Sequence, residues 1–375
     1  MKIGINATIV DPLSSGLGIY TINIVRELAR LHLDIAVYTS ASDFFKEDGV
    51  EVHEVTGAVR ASRGFRGHLT RLLWSQTDLP RQLRNANVSV LLSPTPLEGV
   101  LRSPVPQVLV VHDILPIRFP GRYPRQRHYF RYVFPRLLRN AVRVVAVSKT
   151  TREEILNTFR VDPEKIAVIY NGCDHERFNL NSQQGGSLSK GVKEPFFLYV
   201  GNLFPHKNIQ RLLTAFASIS KRIKHQLVVV GSKDPRYYPT LRQMAISLGI
   251  KDRVCFLDYV QSAQLPNLYR HAHWLILPSL FEGFGMPPIE AMACGTPVIL
   301  SRTPALEETV GDAGVYFDPT DCSDMSEKIL NACLNENQRH EARRKGLERA
   351  AQYSWERTAR QLLQVLNQAN EMSRE

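Results

Sequence analysis

The sequence predicts an α/β protein with two Rossmann-like, doubly wound domains that face a cleft. The first observation is that short apolar runs alternate with amphipathic helical segments along the whole chain of 375 residues. The second is a break in this alternation at residues 181–191, which are rich in Ser, Gln and Gly and show no periodicity. The third is length, since a chain of this size can form two domains with separate cores.

Four segments follow from these observations: a first domain (1–180), a linker (181–191), a second domain (192–353) and a last helix (354–375). Ser354 is a suitable N-cap for the last helix, and Ala359, Leu362 and Leu366 then share one of its faces.

Apolar runs of strand length mark the predicted strands. In the first domain they are 2–7, 35–38, 88–92, 108–112, 142–147 and 166–169. In the second domain they are 196–200, 227–230, 254–257, 274–277 and 298–300. Ligands of such sheets bind beyond the carboxyl ends of the strands, so the loops that follow these runs are the expected functional positions.

The formal net charge of +11 is concentrated in the first domain, where residues 59–149 hold 16 Lys and Arg against three acids. Arginine alternates with aromatic residues over 121–139, and a shorter stretch over 60–74 includes Arg66, Arg71 and Trp74. This composition favours contact of region 60–139 with anionic lipid head groups at the inner membrane. A nucleic-acid backbone and a plain solvated surface are the alternatives, and we expect no nucleic acid partner.

Targeting and redox features favour the cytoplasm, with the protein peripheral at the cytoplasmic face of the inner membrane. The first residues have the pattern of a strand, unlike a signal peptide, and no apolar run has the length of a membrane span. The five cysteines form no C-x-x-C pair, from which we expect neither disulfides nor a zinc site.

The most specific segment is residues 281–298, which read FEGFGMPPIEAMACGTPV. It follows the predicted strand 274–277, so it predicts a strand, a glycine-rich loop and a helix that begins at Pro287 or Pro288 and ends at Gly295. Glycine lets the backbone approach a ligand, and the amides of a helix start attract anionic groups.

Glu282 lies in this loop and Glu290 in the first turn of the predicted helix. Two carboxylates around a glycine-rich turn suit a ligand with a hydroxyl-rich end and an anionic middle. An ordinary βαβ turn, in which Glu290 only complements the helix dipole, is the alternative.

The whole string resembles the E-x7-E signature of retaining glycosyltransferases of the GT-B fold (family 4, group 1), and it is similar to bacterial O-antigen and capsule mannosyltransferases. The resemblance implies that Glu282 is catalytic and binds the donor sugar, and that Glu290 binds the ribose of the nucleotide. It also implies a donor-binding role for the loop and helix start, namely Gly283, Phe284, Gly285 and Met286.

Residues 201–208 (GNLFPHKN) resemble a second donor-site element of this family, G-[RT]-x(4,5)-K-[GN]. The resemblance implies that Lys207 is catalytic, because a fixed cation stabilises the charge that grows on the departing phosphate. Asn202 is the donor-binding residue at the position where the family often has arginine. Lys233 and Arg302 are candidates to replace that cation.

Three further elements resemble the family more weakly. Gly16 and Gly18, in a predicted loop over 11–20, match a turn that closes over the donor, although Gly-x-Gly alone also occurs in loops that bind nothing. The pair His112-Asp113 matches a position that supplies a catalytic histidine near the anomeric carbon, with Asp113 as an acceptor-binding or orienting residue. Tyr259 and Val260 follow Asp258, and this stretch matches the loop at the nucleobase.

The resemblance implies a metal-independent hexosyltransferase without a cofactor, and the absence of an Asp-x-Asp cluster fits this expectation. The expected reaction is front-face transfer of mannose from GDP-mannose to a polyprenyl-diphosphate-linked glycan in O-antigen or capsule (lipopolysaccharide) synthesis. A transferase for UDP- or TDP-sugars, a GT-B epimerase and a nucleic-acid-binding protein are the alternatives. A dehydrogenase is disfavoured, because no strand leads into G-x-G-x-x-G with an acidic residue at the required distance.

Overall fold

The computed structural model describes residues 1–11, 16–60, 64–121, 123–181, 188–258, 260 and 264–372. The chain separates into two compact units. Unit 1 consists of Met1–Gly172 together with Trp355–Glu375, and unit 2 consists of Cys173–Ser354. Each unit is a parallel sheet with connecting helices, as the predicted α/β, Rossmann-like fold class requires.

The described part of unit 1 forms a seven-stranded parallel sheet. Its strands are β1 (Lys2–Asn6), β2 (Asp34–Thr39), β3 (Glu51–Glu54), β4 (Val90–Ser93), β5 (Gln107–Val111), β6 (Arg143–Ala146) and β7 (Ile166–Val168). The strand order is β3-β2-β1-β4-β5-β6-β7, so the direction of strand succession reverses between β1 and β4. The helices are α1 (Gly16–Arg30), α2 (Gly64–Asn85), α3 (Leu115–Arg118), α4 (Pro124–Tyr132), α5 (Phe134–Asn140) and α6 (Lys149–Thr158).

Unit 2 forms, over its described residues, a six-stranded parallel sheet. The strands are β8 (Phe196–Val200), β9 (Gln226–Val230), β10 (Val254–Leu257), β11 (Trp274–Leu277), β12 (Val298–Ser301) and β13 (Gly314–Phe317). Their order is β10-β9-β8-β11-β12-β13, and the reversal falls between β8 and β11. The helices are α7 (Ile209–Ile219), α8 (Tyr238–Ser247), α9 (Leu265–His271), α10 (Met286–Ala293), α11 (Pro304–Val310), α12 (Cys322–Leu334) and α13 (Glu336–Ala350).

The last helix, α14 (Trp355–Glu371), belongs to unit 1. The Trp355 ring lies edge-on to Tyr20 of α1, with 5.7 Å between the ring centroids. The Thr358 hydroxyl donates a hydrogen bond of 2.8 Å to the carbonyl of Tyr170. The face that packs on unit 1 is apolar at helical spacing, with buried Ala359, Leu362, Val365 and Leu366.

The sequence prediction missed two strands, β3 and β13, each of which is one of the two edge strands of its sheet. The sequence of β3 is EVHE, and none of its residues is buried. The four residues of β13 are mostly half-buried. Neither strand is a continuous buried apolar run, so apolar patterning alone does not reveal them.

Unit 2 begins at Cys173, earlier than the predicted boundary at residue 180. The Cys173 N–H donates a hydrogen bond of 3.3 Å to the carbonyl of Tyr353. The Phe178 ring lies edge-on to Tyr269, with 5.9 Å between centroids. These contacts hold the segment in unit 2, whereas more than half of the predicted linker lies outside the described residues.

Of the helices in the described ranges, none is both long and apolar enough to cross a lipid bilayer.

The predicted basic surface of unit 1 is smaller than region 60–139. Arg71 and Trp74 of α2 are buried, with 1% and 8% of their surface exposed, so neither can contact a membrane. Phe130 and Phe134 also pack inside, in a hydrophobic cluster with residues of β5 and β6. The residues exposed on α2 include Arg66, Leu69 and Leu73, which share one helical face and are called the α2 patch below.

Arg71 is buried because it pairs with Glu98 in the interior of unit 1. The Arg71 Nε atom lies 3.4 Å from Glu98 Oε1, and neither side chain is more than 1% exposed. The Thr95 hydroxyl donates to the same carboxylate, and His68 Nδ1 lies 2.8 Å from Arg71 Nη2. Burial raises the pKa of the Glu98 carboxyl, and the Arg71 guanidinium opposes that rise.

We expect Arg71→Met to lower the free energy of unfolding by about 3 to 5 kcal/mol, because it leaves a buried carboxylate without its cation. Urea unfolding at neutral pH measures this loss. Arg66→Met, on the exposed face of the same helix, is the matched control and should change the value by about 0.5 kcal/mol or less. The double variant Arg71→Met with Glu98→Gln should recover much of the lost free energy of unfolding, because it no longer contains a buried carboxylate. If Arg71→Met and Arg66→Met lower the free energy of unfolding equally, the interior pair is not what stabilises unit 1.

Candidate functional site

The predicted donor-site motifs of unit 2 follow the two strands at which the sheet order reverses. Residues 201–208 come after β8, and residues 278–285 come after β11. Because β8 and β11 are neighbours and parallel, both loops leave the same edge of the sheet. The helices that follow these strands diverge at such a switch point, which opens a crevice for a ligand.

Two contacts join these loops. The Leu280 N–H donates a hydrogen bond of 2.8 Å to the carbonyl of His206. The Lys207 ammonium donates a hydrogen bond of 2.7 Å to Glu282 Oε1, and both side chains retain some exposure, 15% and 11%. The structure therefore brings together the two residues that the sequence predicts as catalytic in unit 2.

The backbone of Gly285 makes the turn from this loop into α10. Its φ of 93° lies in the left-handed region, and a Cβ at this position would lie 2.6 Å from Leu306 Cδ2. The Thr309 hydroxyl holds the preceding residue by donating a hydrogen bond of 2.9 Å to the Phe284 carbonyl. Only glycine fits this turn without strain, so the sequence pattern has a steric cause here.

Helix α10 begins at Met286, before the two prolines at which the sequence predicted its start. Pro287 and Pro288 carry no N–H, so the helix start offers the Met286 amide but no amide from the next two residues. The prediction that Glu290 lies in the first turn is wrong for the same reason, since the earlier start leaves no acidic residue in the first turn.

Glu290 is held by a residue that the sequence analysis missed. The Tyr269 hydroxyl of α9 donates a hydrogen bond of 2.8 Å to Glu290 Oε2. Burial raises the pKa of the Glu290 carboxyl, and the nearby Asp174 carboxylate adds to this rise, while Tyr269 and Arg177 oppose it. No motif marks Tyr269, because its hydroxyl reaches Glu290 only after α9 and α10 pack together.

The remaining donor-site residues predicted in unit 2 follow β8 and β10 in the chain. Asn202 is exposed, and its side-chain oxygen accepts a 3.2 Å hydrogen bond from the Phe204 N–H. Val260 is half-buried next to Asp258, whose carboxylate accepts a 3.3 Å hydrogen bond from the Lys233 N–H. Tyr259 lies outside the described residues.

The two candidates to replace the cation expected at Asn202, Lys233 and Arg302, have other contacts in unit 2. The Arg302 guanidinium donates a 2.7 Å hydrogen bond to Glu307 and lies over the ring of Tyr316. The Lys233 ammonium lies 5.5 Å from the ring centroid of Tyr238.

In unit 1, His112 directly follows β5 at the carboxyl edge of the sheet. Its Nε2 lies 3.0 Å from the Pro94 carbonyl, which can only accept, so Nε2 carries the proton. The ring stands edge-on to Tyr20, with 4.7 Å between centroids. Burial lowers the pKa of His112 to about 4, against the ordinary value of 6.5. The imidazole is therefore neutral at pH 7, and its Nδ1 can accept a hydrogen bond.

The other predicted residues of unit 1 lie at the same edge. Gly16 and Gly18 belong to the first turn of α1, which corrects the prediction that both lie in a loop before that helix. Residues 12–15 of that predicted loop lie outside the described residues. Asp113 accepts a 2.9 Å hydrogen bond from the Leu115 N–H and thereby stabilises the start of α3.

Family models match both units. A model described as "Glycosyltransferase Family 4" matches residues 14–177, and one described as "Glycosyl transferases group 1" matches residues 183–349.

The sequence of this chain is similar to parts of two curated relatives. It is 37% identical to the O-antigen chain mannosyltransferase RfbU of Salmonella typhimurium over 60% of this chain and 60% of the relative. It is 30% identical to the O-antigen chain mannosyltransferase B of Escherichia coli over 68% of each chain. The match to the first relative thus spans about three fifths of that protein.

Among solved structures, the sucrose-phosphate synthase of Thermosynechococcus elongatus superposes with a TM-score of 0.80. The superposition covers 98% of both chains at 22% identity. At this identity the likeness establishes the fold, GT-B, without indicating the substrate.

We expect stability to depend on His112 between pH 6.5 and 4. Above pH 6.5 the histidine is neutral in both states. As the pH falls towards 4, the unfolded chain gains a proton that folded His112 resists, so the free energy of unfolding decreases. Urea unfolding at several pH values should show a smaller decrease for His112→Gln. His340→Gln, which removes an exposed histidine of α13, is the control, and an unchanged pH dependence in His112→Gln would contradict the burial account.

Proposed function

We propose that this chain, which belongs to the family 4 and group 1 glycosyltransferases, transfers a sugar from a nucleoside diphosphate donor to a hydroxyl of an acceptor glycan. The observation that carries the proposal is the 2.7 Å ion pair between Lys207 and Glu282, with the Gly285 turn beside it. A cation, a carboxylate and the amides of a tight turn are the groups that a sugar diphosphate needs.

Each group has a chemical role in this proposal. Lys207 and the Met286 amide bind the diphosphate, and the Glu282 carboxylate accepts hydrogen bonds from the sugar hydroxyls. Glu290, positioned by Tyr269, accepts hydrogen bonds from the ribose hydroxyls. When the donor binds, its phosphate competes with Glu282 for Lys207, so the free enzyme keeps both groups paired until the ligand arrives.

The reaction proceeds on one face of the sugar with retention of configuration. The bond between the anomeric carbon and the phosphate oxygen breaks, and the acceptor oxygen bonds to the anomeric carbon. The acceptor proton passes to the leaving phosphate. Lys207 accelerates the step because it stabilises the negative charge that accumulates on this phosphate. His112 accepts a hydrogen bond from the transferred sugar through Nδ1, and Asp113 binds the acceptor.

GDP-mannose is the proposed donor, and a polyprenyl-diphosphate-linked glycan of O-antigen or capsule synthesis is the proposed acceptor. The two relatives described as O-antigen chain mannosyltransferases support this choice. A carboxylate such as Asp258, near the nucleobase loop, suits the donor groups on a guanine edge.

The α2 patch supports a peripheral position at the cytoplasmic face of the inner membrane, where such an acceptor lies. Leu69 and Leu73 are 46% and 58% exposed and lie four residues apart on one helical face with Arg66. On α4, Tyr132 is 55% exposed beside the exposed Arg131. Apolar side chains flanked by arginine bind the boundary between acyl chains and anionic head groups.

Donor binding and slow donor hydrolysis test the proposed site. In a panel of nucleotide sugars, GDP-mannose should stabilise the protein and be hydrolysed. Lys207→Ala should lower the turnover number by roughly 100-fold or more, as loss of one transition-state contact does. Glu290→Ala should mainly weaken binding of the nucleotide. Calorimetry and release of mannose measure the two effects.

Lys221→Ala removes an exposed lysine after α7 and is the matched control for charge. A response to UDP- or TDP-sugars but not to GDP-mannose would show that the donor is one of those sugars. Conversion of a UDP-sugar into its epimer would indicate that the protein is an epimerase. Absence of any response to nucleotide sugars would overturn the proposal. Retention is tested separately, by the anomeric configuration of the transferred sugar in the product's NMR spectrum.

Membrane contact is tested with vesicles that contain phosphatidylglycerol. Wild-type protein should sediment with them, and less so with purely zwitterionic vesicles or at high salt. The double variant Leu69→Ser with Leu73→Ser should bind these vesicles at least roughly tenfold more weakly than the wild type, because two apolar side chains no longer enter the interface.

Ile246→Ser is the control for loss of an exposed apolar side chain, since Ile246 of unit 2 is 41% exposed. If this variant weakens vesicle binding as much as the double variant does, the α2 patch is not the contact surface.

A further inference from the structure

A second cluster of chemically reactive side chains lies at the opposite edge of the unit 2 sheet. His225 directly precedes β9, His273 directly precedes β11, and Cys333 lies in the last turn of α12. One nitrogen of each histidine and the cysteine sulfur all lie within 4.8 Å of one another. The donor-site loops leave the carboxyl ends of the strands, so this cluster is separate from the proposed donor site.

The distances between these atoms suit a metal ion. His225 Nε2 lies 2.9 Å from His273 Nδ1, and Cys333 Sγ lies 3.8 Å from His225 Nε2 and 3.3 Å from His225 Nδ1. Around a tetrahedral Zn²⁺, with bonds of about 2.0 Å to nitrogen and 2.3 Å to sulfur, neighbouring ligand atoms are roughly 3.3 to 3.6 Å apart. All three ligand atoms lie within 4.8 Å of one another, so zinc binding requires the His273 ring and the Cys333 side chain to move towards a common centre.

The surroundings orient both histidines. Glu336 Oε1 lies 3.4 Å from His273 Nε2, which directs the other ring nitrogen, Nδ1, at the cluster. The His225 ring is stacked on Phe197, with 4.6 Å between centroids. The Arg253 guanidinium donates to the His225 carbonyl and to two others, which holds the backbone before β9. A carboxylate behind a ligating histidine is the usual arrangement around protein-bound zinc.

Glu336, whose carboxylate contacts His273, also lines a surface cavity together with Asn335.

We propose that His225, His273 and Cys333 form a binding site for Zn²⁺, with Glu336 orienting His273 and the fourth position facing solvent. The site joins α12 to the amino ends of β9 and β11. This proposal departs from the sequence expectation of no zinc site, which considered only closely spaced cysteines. In the absence of metal the same groups form a hydrogen-bonded chain, from the Cys333 thiol through both imidazoles to Glu336.

The test uses the full chain, stripped of metal with a chelator and titrated with Zn²⁺ and with Co²⁺. We expect one equivalent of either metal to bind, a rise in Tm with Zn²⁺, and a thiolate-to-Co²⁺ charge-transfer band in the near ultraviolet. Cys333→Ser should lose the band and the rise in Tm. Glu336→Gln should keep the stoichiometry and weaken Zn²⁺ binding by roughly 10- to 100-fold.

Cys322→Ser is the matched control, because Cys322 is the first residue of the same helix, α12. It should bind metal as the wild type does. The Tm of each variant without metal checks that the variant is folded. If Cys333→Ser is unstable, His273→Gln removes a different ligand and serves the same purpose. Failure of the wild type to bind a stoichiometric metal, or equal binding by Cys333→Ser, would leave the hydrogen-bonded chain as the explanation and overturn the proposal.

Discussion

The ion pair between Lys207 and Glu282 is the contact on which the proposed donor site depends. The two residues are 75 positions apart in the chain, and they meet because β8 and β11 are adjacent parallel strands. Parallel strands present all their carboxyl ends at one edge, so loops that follow neighbouring strands must converge. The hydrogen bond from Leu280 to His206 then fixes the register of the two loops.

The two glutamates of the motif have different partners, and in the proposed function this difference suits them to two parts of one ligand. Glu282 pairs with the Lys207 ammonium, which can also bind a phosphate. Glu290 instead accepts a hydrogen bond from the hydroxyl of Tyr269, in surroundings that raise the pKa of its carboxyl.

In unit 1, burial decides which basic residues can act at the surface. Arg71 was predicted to face lipid, but it is buried in an interior pair with Glu98. Aromatic residues of the same region, such as Phe130 and Phe134, are buried in the hydrophobic core. The α2 patch that remains has exposed leucines beside arginine, which a purely solvated basic face does not need. Charge counts along the chain cannot make this distinction, because they do not record which side of a helix faces the core.

The sequence by itself determined the fold class, most of the strands and the residue types of the donor motifs, because apolar periodicity and glycine or proline positions act locally. It also located Gly285, whose left-handed backbone excludes other residues. The tertiary structure alone decided the edge strands β3 and β13, the earlier start of α10, the Tyr269 partner of Glu290 and the burial of Arg71. It alone brought His225, His273 and Cys333 together. Each of these features depends on contacts between segments distant in the chain, and such contacts form only when the helices pack on the sheet.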